Sequence, residues 1–149
     1  MPVMDIPPVG VSGQFEANLV DPQGNVPTNV FRTGDQLGVD CSWFLQGALA
    51  SSLGGSWRAQ LTLEGLGTAV EITFPAAPPT PGPAVLDGRT GPGNPYRHRI
   101  REPLNTGMLG GQPSILAKVG VALTYRDAAN TPGPIAAFID LGVVQIFEP

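Results

Sequence analysis

Residues 36–64 read QLGVDCSWFLQ, GALASSLGG and SWRAQLTLE in succession. In the first segment Leu37, Val39, Cys41, Trp43 and Leu45 alternate with mostly polar neighbours. In the third, Trp57, Ala59, Leu61 and Leu63 alternate with Ser56, Arg58, Gln60, Thr62 and Glu64. Successive side chains of a strand point to opposite faces, so each segment has one apolar face and one wet face. The pattern predicts two half-buried antiparallel strands joined by a Gly/Ser/Ala loop. Two tryptophans on the inward parity give the core its largest apolar rings.

The same period of two recurs on either side. Phe15, Ala17 and Leu19 alternate between Gln14 and Val20, and Val30-Phe31 offers a brief pairing site. Val70, Ile72 and Phe74 mark a further strand, and Tyr96, His98 and Ile100 another. Ile115 to Tyr125 is a long inward series, again on alternate residues. Ile135 to Phe147 differs, because it is apolar on both parities. Three explanations fit: burial on both faces, a bulge near Val143-Val144 that shifts the inward parity, or an outer face that docks on a partner.

Gly and Pro number 20 and 17 in 149 residues. Placed between apolar alternations, they read as the turns of a many-stranded fold. Residues 1–12 hold Pro2, Pro7 and Pro8 and no periodicity, which predicts an extended arm. Residues 75–95 run PAAPPTPGP and, later, GRTGPGNP; proline cannot donate to a sheet, so a long loop crossing between two sheets is expected. Neither side of that loop has enough strands to stand alone, so residues 1–149 form a single domain. The expectation is an all-β, two-sheet antiparallel sandwich of about seven strands.

Cys41 on the second long strand and Trp57 on the third resemble the immunoglobulin arrangement, in which a B-strand cysteine lies near a C-strand tryptophan. The resemblance is architectural, covers about 100 residues and implies an immunoglobulin-like sandwich. It departs from the family pattern at Ile115–Arg126, which holds no second cysteine and carries Tyr125 at its end and not at its start.

The net charge of −4 gives no general attraction to nucleic acid or to anionic membranes. Lys118 is the only lysine beside seven arginines, a bias shared by contact-making surfaces and by GC-rich genomes. Cys41 is the one cysteine, so no intrachain disulfide forms, and its inward parity predicts an inert buried thiol. The N-terminal MPVMDIPPVG lacks a basic and an apolar region, which predicts a chain without a signal peptide, cytoplasmic or particle-associated. No apolar run approaches the ~20 residues of a membrane-spanning helix.

The usual catalytic constellations lack their parts. His98 is the single histidine, no G-x-S-x-G elbow occurs, and His and Cys together are too few for a zinc site. Carboxylate pairs for glycoside hydrolysis meet only in space, and nothing here points to one. No catalytic, cofactor-binding or metal-binding residue is therefore assigned. Three surfaces remain as candidates. Arg97, Arg99 and Arg101 share one strand face at ~6.6 Å spacing, with Arg89 nearby. They suit acidic partners or phosphates, or simply guard an edge strand that Pro103 ends. The Pro-rich loop could enter an aromatic groove. Phe138, Val144 and Ile146 on the last strand would form a subunit interface.

These features favour a non-enzymatic structural, assembly or interaction subunit, with self-association or a protein partner. Phage decoration and tail proteins and contractile-injection accessories are the comparison by analogy of fold alone. The alternative is a carbohydrate- or ligand-binding module. Against it, Trp43 and Trp57 follow the core parity; an exposed Phe44 or Tyr96 would favour it.

Overall fold

The computed structural model describes residues 12–21, 29–47, 50, 53–75, 78–82, 84 and 96–149. The expected N-terminal arm, most of the Pro-rich loop and Arg89 lie outside these residues. The described residues form nine strands: β1 (Ser12–Val20), β2 (Val30–Arg32), β3 (Gln36–Gln46), β4 (Ser56–Leu66), β5 (Glu71–Thr73), β6 (Thr80–Pro81), β7 (Arg97–Pro103), β8 (Ser114–Arg126) and β9 (Pro132–Phe147). A 3-10 turn, Thr106–Leu109, lies between β7 and β8. The smaller sheet has the order β1-β3-β7, and the larger one β2-β9-β8-β4-β5, with β6 also paired to β4.

The alternations named from the sequence become the inner faces. Leu37, Val39, Cys41, Trp43 and Leu45 of β3 are buried, as are Trp57, Ala59, Leu61 and Leu63 of β4 and Ile115, Ala117, Val119, Val121, Leu123 and Tyr125 of β8. One hydrophobic cluster joins them across the two sheets.

Three expectations need correction. First, β3 and β4 do not pair with each other: β3 lies between β1 and β7, while β4 pairs with β8, β5 and β6. Alternation fixes which face of a strand is dry, and says nothing about which strand borders its edges. Second, the larger sheet is mixed. β2 runs parallel to β9, with Val30, Phe31 and Arg32 opposite Gln145, Ile146 and Phe147. Gln145 donates its N–H to the Asn29 carbonyl, and Thr33 donates to that of Phe147, extending the short ladder at both ends.

Third, Val144 and Ile146 are core residues, buried at 1% and 0% exposure, and not surface. Their parity is set by a bulge. Between the pairs Lys118–Val143 and Gly120–Asp140, β8 advances by two residues and β9 by three. The extra residue lets Gly142 take φ +86°, and its N–H binds Asp140 Oδ1 at 2.8 Å. Before the bulge Ile135 points inward; after it Val144 and Ile146 do, and Val143 turns out. The doubly apolar strand is thus one inward series that changes parity.

Gly142 has no atom within 4 Å of where a Cβ would stand, so its substitution tests backbone conformation alone. Gly142→Val should lose about 1–2 kcal/mol, while Gly142→Asn, tolerant of left-handed backbone, should lose far less. Urea midpoints would show this, and an unchanged Val variant would contradict the bulge.

Candidate functional site: two unlike outer faces

The smaller sheet presents a charged face. β7 is its end strand, and Arg97, Arg99 and Arg101 point outward while Ile100 is buried. The register sets Ser42 beside Glu16 and Arg97, and Asp40 beside Asn18 and Arg99. Asp40 takes both arginines. Arg97 Nε donates to its Oδ1 at 3.0 Å and Arg97 Nη2 to its Oδ2, forming a two-pronged pair. Arg99 Nη2 lies 3.6 Å from the same Oδ2. The sequence suggested a free row of three guanidinium groups; two of them share one carboxylate. A fork of this kind holds planar groups in a fixed geometry. Over it opens a cleft of about 190 Å³, lined by Glu16, Asn18, Asp40, Cys41, Ser42 and Arg97. Among the described residues no three His, Cys, Asp or Glu side chains gather as a metal site. No described helix is long and apolar enough to cross a membrane.

Behind that face, β7 turns His98 inward. Its ring stacks on Trp43 with centroids 5.3 Å apart and planes at 27°. Phe15 meets the same indole edge-on at 6.5 Å, and Tyr96 packs on it tilted at 6.3 Å. His98 Nε2 shares a hydrogen bond with the Thr80 hydroxyl, so the contact links β7 of the smaller sheet to β6 of the larger. Burial pulls the His98 pKa down. Among the described residues the Trp43 indole N–H finds no acceptor, whereas Trp57 Nε1 donates to the Gly82 carbonyl at 3.0 Å. Cys41 Sγ donates to the His98 carbonyl at 3.3 Å, and desolvation pushes its pKa up to about 12. A thiol held protonated in this way is a poor nucleophile.

The larger sheet presents an apolar face. The exposed large hydrophobic residues among those described are Val30, Leu66, Leu116, Phe138 and Val143, and all lie on its outer side. One row runs across four strands as Val30, Gln145, Leu116 and Leu66. The next is Val143, Lys118, Glu64 and Glu71, with Lys118 Nζ also 3.3 Å from Asp140. Phe138 lies over Gly120, where a Cβ would come within 2.5 Å of its ring, and is 58% exposed.

Of the last-strand residues named from the sequence, only Phe138 is therefore on the surface. Leu66, Leu116, Val30 and Val143 were missed. The signal was present for two of them: Leu66 and Leu116 stand on the wet parity of cleanly alternating strands. Val143 required knowledge of the bulge.

The core chemistry can be tested directly. At pH 8 the native chain should leave Cys41 unmodified by a thiol-specific disulfide reagent for far longer than the urea-unfolded chain; equal rates would contradict the burial. His98 should make the fold acid-sensitive. Its folded pKa is below its unfolded value, so the unfolded chain takes the proton first. Stability is then full above the ordinary histidine range and falls as pH drops through about 6.5 toward the lowered native value. Thermal melts of the wild type and His98→Gln between pH 8 and 5 should diverge in slope, the variant being flatter.

No protein-family model matches this chain, and neither the curated proteins nor the solved structures compared with it give a match.

Proposed function

We propose that this chain is an immunoglobulin-like sandwich acting as a non-enzymatic structural or protein-interaction subunit of a larger particle or filament. The observation that carries the reading is the gathering of exposed large hydrophobic residues on one outer face. Apolar surface collected in this way marks an interaction site more often than apolar residues scattered singly. On the opposite face Arg97 and Arg99 are paired with Asp40, and no comparable apolar residue is exposed among those described.

The immunoglobulin-like part of the proposal draws on strand order. β1-β3-β7 corresponds to strands A, B and E of that fold, and β9-β8-β4-β5 to G, F, C and C′. Buried Cys41 on the B-equivalent and buried Trp57 on the C-equivalent agree with it. The missing cysteine on β8 and the late Tyr125 depart from it. Phage-like and contractile-injection assemblies remain the comparison, by analogy of fold alone.

The alternative, a carbohydrate- or ligand-binding module, draws on the polar cleft beside Asp40. Among the described residues it lacks a flat exposed aromatic there: Phe44 and Tyr96 are half-buried and Trp43 is fully buried.

Native-size chromatography of extract from the producing cells, detecting the tagged full chain, distinguishes the two. An assembly subunit should run well above 15.5 kDa. The doubly substituted Leu116→Glu, Phe138→Glu chain should fall back toward that mass, since both positions are exposed and tolerate charge. A wild-type chain running free at 15.5 kDa would overturn the interaction reading and direct attention to the cleft.

A further inference from the structure

We infer that the occupant of the apolar face is a second copy of this chain, packed face to face about a two-fold axis. The inference rests on the reading of that face as an interaction surface, and goes on to name what covers it. Adjacent strands β4 and β8 set Leu66 beside Leu116, and Glu64 beside Lys118, in neighbouring rows. Consider a two-fold axis lying in the interface plane, parallel to the strands and midway between β4 and β8. It exchanges the two columns. Leu116 then meets Leu66 of the second copy, and Lys118 meets Glu64 of the second copy. Gly120, which bears no side chain, meets Thr62 of the second copy.

The two central columns are therefore their own complement, leucine on leucine and ammonium on carboxylate, while at the margin Val143 meets Glu71 of the second copy. An isologous contact requires self-complementarity of this kind. An axis along β4 would set Glu64 on Glu64. An axis along β8 itself would set Lys118 on Lys118, a like-charge contact. Sheets stacked about 10 Å apart with aligned strands leave the interleaved leucines in contact. The extent is adequate. Three long strands about 4.8 Å apart, over some nine residues of about 3.3 Å rise, with the three-residue strands β2 and β5 at the margins, cover roughly 520 Å² per copy and so about 1,040 Å² in all, just above the roughly 1,000 Å² that a specific interface needs. Lys118 is also the only lysine of the chain, so the pairing has one cationic determinant on this row.

The test uses the purified full chain in light scattering coupled to gel filtration, at rising concentration. Two copies of 15.5 kDa should appear as a species of about 31 kDa. Lys118→Glu and Glu64→Lys should each weaken this dimer about tenfold or more, because each places like charges opposite one another. An equimolar mixture of the two variants should restore it as a heterodimer, in which every row is again oppositely charged. Recovery on mixing also shows that both variants are folded. Should a charge variant fail to fold, Leu116→Asn at an exposed position serves instead, with dimer loss expected.

A purified chain that stays at 15.5 kDa overturns the two-fold pairing. So does a dimer indifferent to these substitutions, or a mixture that does not recover. If the purified chain is monomeric while the extract runs large, copy-on-copy pairing fails and a different protein covers the face. If both run at 15.5 kDa, the interaction reading falls as well.

Discussion

Burial of one face of β3 against the facing sides of β4 and β8 is the interaction on which the rest of this structure depends. Each of these strands is dry on one side only, so none is stable until another sheet covers it. The aromatic residues fasten the ends of that contact. Trp43 gathers Phe15, Tyr96 and His98 around one indole, and Trp57 lies against Tyr125 with centroids 4.8 Å apart. A fully buried side chain of this size contributes about 1.5–3 kcal/mol or more of apolar transfer. Irregular segments are tied to the same rings. Thr80 pairs with Trp57 in register, and the indole N–H holds the Gly82 carbonyl. The unpaired N–H of Trp43 shows what dominates there: ring contact and desolvation outweigh one lost hydrogen bond, whose cost is about 1–3 kcal/mol.

How much of this was legible in the sequence follows from what a period of two encodes. It encodes faces. Every long strand except β9 was therefore visible from its alternation, and the inner side of each of those was named correctly. It does not encode edges. That is why β3 and β4, consecutive and equally amphipathic, looked like partners and proved to belong to opposite sheets. The parallel strand β2 has three residues, too few for any pattern to carry direction. At β9 the sequence held three explanations open, and a single glycine decides among them. Gly142 adopts φ +86°, the parity changes, and Val144 and Ile146 go inside while Val143 comes out. The misplaced interface residues had one physical cause.

The candidate surfaces were legible to different degrees for the same reason. Arg97, Arg99 and Arg101 were correctly placed on one outward face of β7. The pairing of Arg97 and Arg99 was invisible, because Asp40 reaches them across a strand pair, 57 residues from Arg97 in sequence. Leu66 and Leu116 stood on the wet parity in plain view. Each alone is an ordinary exposed leucine. Their meaning came from the register that places them side by side.

The two outer faces solve the problem of meeting water differently, and that difference bears on what each can bind. On the smaller sheet, Asp40 already satisfies Arg97 on two prongs and lies near Arg99. An incoming phosphate or acidic peptide would have to displace a partner that is covalently tethered and half-buried. The arriving charge recovers only what the carboxylate gives up, so the net gain is small. This face is better suited to keeping an end strand from recruiting other chains. On the larger sheet nothing need be displaced from Leu66, Leu116 or Val143 except water. Removing apolar area from water is favourable by about 25 cal/mol per Å² before the costs of association, and no internal partner competes for it. The charged row between the leucines and Phe138 adds little energy at this exposure. In the proposed pairing it acts on register: it penalises alignments that set like charges together, and so would restrict an otherwise permissive apolar face to few orientations.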